Sequence, residues 1–546
     1  MMQKPPLVPR PEHPRPDFQR ETYQNMNGEW EFAFDDENLG LAQRWYQPGH
    51  ALPGRIVVPF CYQSKASGIG TAAYHPILWY RRRFRIKQEM AGKRILLRFG
   101  AVDYACTVYV NGMPAGFHRG GYTPFAIDIT DHLAEGEQDL CLRVEDAMDC
   151  SQLRGKQFWR EGLHGCWYTP VSGIWQTVYL EAVGAIAIKQ VHITPDIDRQ
   201  QALFELSLDA MPEEEMAVEL SIFSAGQAQR RLSLDIRDRQ IRIPVHMVTQ
   251  ADQEPIRLWS PEHPVLYDVT VRLLRHTEAI DIVYTYFGMR KIEVLKGRAW
   301  LNNSPLCQRL VLDQGYWPDT LLTPPDDESI RQDIAYTKKL GYNGARKHQK
   351  LEDPRYYYWA DRMGLLVWGE LPSAYDFCDE TVRNLCETLL EFIDRDFNHP
   401  SIIAWVPLNE SWSVPTIVSD PRQQATARML YHLAKAADGT RLISSNDGWE
   451  QVTADICALH DYTADGRELA SHFQDRRQVE DTACDWRRSY ADGETPSGEE
   501  AFMVTEYGGI AFLDQESLSS SSDNISRRRR FTFFRPSPFL AYRMSL

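Results

Sequence analysis

The sequence predicts two antiparallel β-sandwiches followed by a parallel βα barrel: a jelly roll, an immunoglobulin-like sandwich, and a (β/α)8 TIM barrel lacking its last βα unit. Three observations predict this class. Short alternating strands punctuated by Asp and Gly fill residues 22–186 with little helical periodicity. A second set of strands fills residues 187–287, about 100 residues, the size of an immunoglobulin-like sandwich. After Phe287-Gly-Met-Arg290 short apolar strands alternate with longer helical stretches, the pattern of βα units around a parallel sheet. A chain of 546 residues has room for three or four such domains.

In chain order, residues 1–21 read as a Pro-rich extension without the apolar stretch of a secretory signal. In residues 22–186 the predicted strands include Tyr80–Ile86, Arg94–Phe99 and Ala105–Val110, the last closed by an Asn111-Gly112 turn. The run Arg81 to Arg83 reads as a solvated strand face, and His118 and Trp159 are assigned no chemistry. In residues 187–287 strands are expected at Ala202–Leu208, Ala217–Ile222 and Tyr267–Leu273. The barrel is expected over residues 288–516. Its strands are Arg309–Asp313, Asn343–Lys347, Leu365–Gly369, Ile402–Val406, Leu442–Ser445, Ile456–Leu459 and Phe502–Thr505. Helices such as those over residues 327–340 and 379–397 separate them. Residues 517–546 depart from this pattern: a Ser-rich stretch, the basic run Arg527 to Arg530, and no eighth βα unit.

A formal charge of -15 argues against nucleic acid and anionic membranes as partners, because binding phosphate needs clustered Lys and Arg. No apolar run is long enough to span a bilayer. The ten cysteines show no CxxC spacing, which with the missing signal points to a cytoplasmic protein. No compact His/Asp/Glu set of the zinc kind is present, so neither metal nor cofactor is expected. Homo-oligomerisation is left open.

In a βα barrel, catalytic residues lie at the C-terminal ends of the strands. Those ends carry Asp313, Arg346 and His348, Glu370, Asn409 and Glu410, Trp449, His460 and Tyr462, and Glu506. Retaining glycoside hydrolysis needs two carboxyl groups flanking the anomeric carbon, one protonated and one ionised. Glu410 on strand four and Glu506 on strand seven would face each other across a bound sugar. Asn409 is placed for a 2-hydroxyl, and Tyr462 to donate to the nucleophile. Asp313, Arg346, His348, Trp449 and His460 complete the candidate substrate-binding set.

Trp405-Val-Pro-Leu-Asn-Glu-Ser-Trp412, Thr505-Glu-Tyr-Gly-Gly509 and Gly341-Tyr-Asn-Gly-Ala-Arg-Lys-His348 resemble glycoside hydrolase family 2, the β-galactosidases, β-glucuronidases and β-mannosidases. Leu258-Trp-Ser-Pro261 and Phe287-Gly-Met-Arg290 extend the resemblance to about residues 20–515. It implies the same three domains, with Glu410 as acid/base and Glu506 as nucleophile. Family members usually carry a small residue and Ser-His after the strand-two Arg, where this chain has Lys347-His348. The expected function is a retaining exo-β-glycosidase acting on a β-galactoside or β-glucuronide. The alternative is a carbohydrate-binding protein with little or no catalysis, because its barrel is incomplete.

Overall fold

The computed structural model describes residues 8–160, 165–248, 255–463, 465–475, 479 and 487–507. It contains a jelly-roll sandwich, an immunoglobulin-like sandwich and a TIM barrel, in that order. The basic tail and the absent eighth βα unit read from the sequence fall on residues outside those described. Among the described residues no helix is long and apolar enough to cross a membrane, and every cysteine is a free thiol.

In the first sandwich a four-stranded sheet packs on a six-stranded one whose central strands are Ile77–Arg85 and Glu137–Glu145. Alternate residues such as Ile95, Leu97 and Phe99 point into the shared core. The Asn111-Gly112 turn closes Ala105–Val110 onto Met113–Arg119, with positive φ of 52° and 79° as a two-residue hairpin of this hand requires. Arg81 corrects the expectation of a solvated face, because it is fully buried. The segment between strands Gly28–Phe34 and Gly54–Val58 folds over it. There Arg81 donates to the carbonyls of Trp45 and Gln47 (both 2.8 Å) and to Asp139 (3.0 Å). The second sandwich lays the sheet of Ile188–Asp196, Gln201–Leu208 and Gln240–His246 on a four-stranded sheet centred on Met216–Ser224 and Tyr267–Arg275.

The barrel strands are Leu310–Asp313, Gly344–Lys347, Leu366–Glu370, Ile402–Val406, Leu442–Ile443, Ile456–Asp461 and Ala501–Tyr507. The first five form one parallel sheet in chain order. Strands four and five continue together as Leu408–Asn409 and Asn446–Asp447, and a bridge from Gly448 to Leu459 leads to strand six, which pairs with strand seven. Three of the barrel helices start where the sequence supplies caps. Asp326, Asp353 and Asp420 each accept a backbone N–H of the first turn, and Pro354 and Pro421 occupy first-turn positions where no N–H is needed. A three-stranded meander over Ile292–Pro305, which the sequence reading did not separate from the barrel, packs Ile292, Ala299 and Leu301 against Trp368, Ala404 and Ile456 as its floor. The jelly roll shares a core with the barrel as well. Tyr122, Leu153, Val171 and Trp175 belong to the same buried cluster as Val367, Leu389 and Trp405.

The second sandwich is joined to the barrel through Asp361, which is fully buried. Its Oδ2 accepts from the Tyr286 hydroxyl (2.9 Å) and bonds His399 Nδ1 (2.6 Å), and its Oδ1 accepts from Ser401 N (2.9 Å). Removing one partner of a buried charged pair strands the other. Asp361→Ala is therefore expected to lower stability by about 3–5 kcal/mol, read from the shift of the urea unfolding midpoint. A loss below about 1 kcal/mol, the worth of an exposed pair, would contradict this account of the joint.

Candidate active site

The strand ends converge on one guanidinium. Arg346, inward on strand two, donates from Nε to Glu370 Oε2 (2.6 Å) and from Nη2 to Asn409 Oδ1 (2.9 Å) and Glu506 Oε1 (2.8 Å), and its Nη1 forms an ion pair with Asp447 Oδ1 (2.7 Å). These acceptors come from strands three, five, four and seven. Burial would favour losing the charge, but the carboxylates of Asp447, Glu370 and Glu506 hold the proton firmly on Arg346.

His460, from strand six, is fully buried with a carboxylate at each ring nitrogen: Nδ1 lies 2.9 Å from Glu410 Oε1 and Nε2 2.7 Å from Asp447 Oδ1. An ionised carboxylate can only accept, so with Glu410 and Asp447 both held ionised each ring nitrogen carries a proton and the ring is an imidazolium. Burial opposes that charge, yet Glu506, Asp447 and Glu410 push the His460 pKa up to about 10. Thr505 Oγ1 also donates to Asp447 (2.7 Å), fixing the residue that anchors both cations. Burial works against ionising Asp447, but the Arg346 charge and the His460 bond hold its pKa below the usual carboxylate range.

The two glutamates face each other across this network. Glu410, Glu506 and His460 each place one oxygen or nitrogen so that all three atoms lie within 4.8 Å of one another. Among the described residues this is the one group tight enough to be considered for a metal ion, and the sequence spacing hid it because its members sit on three strands. Its atoms are spent on hydrogen bonds: Tyr462 donates to Glu506 Oε2 (2.5 Å), Arg346 to Glu506 Oε1, and Trp412 Nε1 to Glu410 Oε2 (3.1 Å). We read it as a hydrogen-bonded carboxylate pair.

The carboxylates are tuned differently. Glu506 pays for burial, but the charges of His460 and Arg346 hold its pKa far below the ordinary carboxylate range. For Glu410, burial and the Glu506 charge raise the pKa, and the His460 bond prevails in lowering it. Glu410 and Ser411 both have positive φ, 49° and 58°, a region non-glycine residues seldom occupy. The turn is held by Glu410 N to Asp447 O (2.8 Å), Ser411 N to Asn446 Oδ1 (3.1 Å) and Ser411 Oγ to Glu450 Oε2 (2.6 Å). It swings the Glu410 carboxylate from strand four towards strand six.

Of the candidates read from the sequence, Glu410, Glu506, Asn409, Arg346, His460 and Tyr462 meet in this network. The Asn409 Nδ2 group is buried with no partner, a donor left for a ligand. His348 Nδ1 lies 3.0 Å from Glu370 and 2.9 Å from Arg346 Nη2. Trp449 sets its ring against His460 at 5.6 Å. Asp313 stands apart. It pairs in register with Lys347, which points away from Arg346, and its oxygens bond Lys347 Nζ (2.8 Å) and Gly315 N (2.9 Å). Three residues were not chosen from the sequence: Asp447, Thr505 and Trp412. The available signal was that Asp447 and Trp412 lie within the strand-end segments Asn446–Trp449 and Trp405–Trp412.

Three family models match the chain in order. They are described as glycosyl hydrolases family 2, sugar binding domain (residues 23–181), glycosyl hydrolases family 2 (186–290), and glycosyl hydrolases family 2, TIM barrel domain (324–509). A β-galactosidase of Thermoanaerobacter pseudethanolicus is 28% identical over 71% of this chain and 50% of its own length. A putative β-glucuronidase of Formosa agariphila is 27% identical over 73% of this chain and 47% of its own. The chain thus spans about half the length of the curated relatives it matches. The apo structure of β-glucuronidase from Ruminococcus gnavus superposes with a TM-score of 0.65 at 21% identity, covering 78% of this chain and 72% of that one, a likeness of fold.

The raised pKa of His460 carries a sign. The charged ring stabilises the fold fully below its unfolded value of 6.5, and that contribution is lost as pH rises towards about 10. Its NMR ring signals, assigned by their loss in His460→Gln, are expected not to titrate between about pH 5 and 8. A midpoint near the ordinary histidine value would contradict the doubly bonded imidazolium.

Proposed function

Because the chain belongs to glycosyl hydrolases family 2, we propose that it is a retaining exo-β-glycosidase that removes terminal β-linked sugars by double displacement. The observation that carries this reading is the approach of Glu410 and Glu506 at the barrel mouth, their nearest oxygens within 4.8 Å. Carboxyl groups about 5–5.5 Å apart leave room for direct attack on the anomeric carbon, whereas inversion needs about 6.5–9.5 Å to admit a water.

In this mechanism Glu506, held ionised by Arg346, His460 and Tyr462, attacks the anomeric carbon as the bond to the leaving oxygen breaks. Glu410 gives that oxygen a proton. Its carboxylate then takes a proton from water, the water oxygen bonds the anomeric carbon, and the ester to Glu506 opens. Before the sugar bond breaks, Glu410 is ionised and the proton it needs resides on His460. Passing that proton from Nδ1 to Oε1 across their 2.9 Å bond makes Glu410 the acid and leaves a neutral imidazole bonded to Asp447. The Asn409 amide, its carbonyl end taken by Arg346, offers Nδ2 to the 2-hydroxyl.

Charge favours a neutral sugar. Glu370, Glu410, Asp447 and Glu506 already face the Arg346 guanidinium and the His460 imidazolium, and among the described residues both cations are engaged by carboxylates. A uronate would add another carboxylate, so a β-galactoside is preferred to a β-glucuronide.

Aryl β-galactoside, β-glucuronide, β-mannoside and β-glucoside should be offered to the purified chain, with the product anomer read by NMR. The galactoside is expected to be cleaved fastest, with the β-anomer formed first. Initial release of the α-anomer would sink the retaining reading, and binding without turnover would favour a carbohydrate-binding protein. Glu506→Gln is expected to lose on the order of 10⁴-fold or more in kcat with every leaving group. Glu410→Ala is expected to lose about 10²–10⁴-fold with poor leaving groups, less with activated ones, and to recover in part with azide. Equal losses without rescue would remove the basis for separate roles.

A further inference from the structure

The segment that leaves the first sandwich is fastened to the barrel mouth. Arg154 N and Gly155 N both donate to Ser373 O (3.0 Å each), Tyr375 N donates to Cys150 O (2.8 Å), and Asn384 Nδ2 to Ser151 O (3.1 Å). Gly155 has φ of 58°, and a Cβ there would lie 2.2 Å from Gln349 O, so only glycine lets the two domains approach this closely.

From this base two indoles reach over the mouth. Trp159 stacks on Tyr375 (centroids 4.0 Å apart, planes 20°), and Trp167 meets Trp412 edge-on (5.4 Å, 75°). Trp412 is the residue that donates to Glu410 Oε2. These four rings are all partly exposed, whereas the core tryptophans Trp30, Trp175 and Trp405 are at most 1% exposed. Core packing therefore does not account for them.

The orientation of Glu410 says what such a wall would face. Its Oε1 is turned to His460 and Tyr462, on the side of Glu506, and its Oε2 to Trp412. The bond to be cleaved lies between the two carboxylates, and its leaving oxygen must touch Glu410. Whatever is attached to that oxygen extends past Glu410 on the side away from Glu506, where Trp412 and Trp167 stand.

We propose that Trp412 and Trp167, backed by Tyr375 and Trp159, form the leaving-group subsite, and that it takes a ring with a flat apolar face, either a second pyranose or an aryl group. The proposal rests on the glycosidase reading and deepens it. The first sandwich thereby supplies part of the substrate site: its Trp167 selects the leaving group, while the barrel holds the sugar that is transferred. Stacking of this kind needs no charge, in keeping with the carboxylate-rich mouth.

The test compares Trp167→Ala and Trp167→Phe with the unchanged chain on three galactosides: an aryl galactoside, a galactosyl disaccharide, and β-galactosyl fluoride, whose leaving group has no ring. In Trp167→Ala the ratio of kcat/KM for a ring-bearing substrate to that for the fluoride is expected to fall about two- to tenfold, and Trp167→Phe is expected to restore most of it. A fall with the aryl substrate alone identifies an aryl subsite, with the disaccharide alone a sugar subsite, and with both a general platform. An unchanged ratio overturns the proposal, whether all three rates fall together or none does. Should the chain hydrolyse nothing, the glycosidase reading fails separately. The subsite is then tested by equilibrium dialysis of the intact aryl galactoside against methyl β-galactoside. Trp167→Ala is expected to weaken only the former, and equal affinities in the two chains would overturn it.

Discussion

One buried guanidinium organises the barrel mouth. Arg346 rises from strand two and bonds acceptors on strands three, four, five and seven, with His460 of strand six 3.4 Å from its Nη1. A planar cation with five N–H donors suits this task, because each bond fixes a direction as well as a distance. Lysine could neutralise the charge but could not hold so many strand ends in one register. The carboxylates in turn need the cation: in so buried a site, the Arg346 charge is what keeps Asp447 and Glu506 ionised side by side. Position and charge at the mouth thus have a common source.

The proposed chemistry follows from how the second cation is shared. His460 bonds Asp447 and Glu410 at the same time, so a charge that adds to Arg346 in keeping Asp447 ionised is also the proton Glu410 requires. Glu506 is bonded by Arg346 and Tyr462, and the nearest His460 nitrogen lies farther from it, at 3.5 Å. In the proposed mechanism two glutamates within 4.8 Å are thereby separated into a nucleophile and a proton carrier. The left-handed turn at Glu410 and Ser411 is the local strain accepted to bring the carrier into reach of His460. Sandwich and barrel also share a core, which lets a loop of the first domain stand beside Glu410 without a flexible joint between them.

Much of this was legible in the sequence. Apolar βα grammar located seven strands, and looking only at their C-terminal ends picked out Glu410, Glu506, Asn409, Arg346, His460 and Tyr462, because a parallel barrel gathers those ends whatever the loops do. What was not legible depends on which face of a strand a residue uses and on what meets it from elsewhere. Asp313 ends its strand as Glu370 does, yet it neighbours Lys347 and not Arg346, a difference of one residue in the alternation. Asp447 drew no notice beside Trp449, since its importance arises only where Arg346, His460 and Thr505 converge. Arg81 looked like a solvated stripe because nothing in its own strand announces the segment that covers it. Trp159 and Trp167 could not be linked to the barrel at all, lying more than two hundred residues before Glu410.

The central claim is that Arg346 and its partners hold Glu506 as the group that bonds the sugar. Its most direct measurement is the site of covalent capture. The chain would be incubated with a 2-deoxy-2-fluoro-galactosyl fluoride, which slows the second displacement more than the first, then digested and mapped by mass spectrometry. The account predicts one adduct, on the peptide bearing Glu506, and none in Glu506→Gln. An adduct on Glu410 or Asp447, or steady turnover of the reagent with no adduct on any carboxylate, would contradict it.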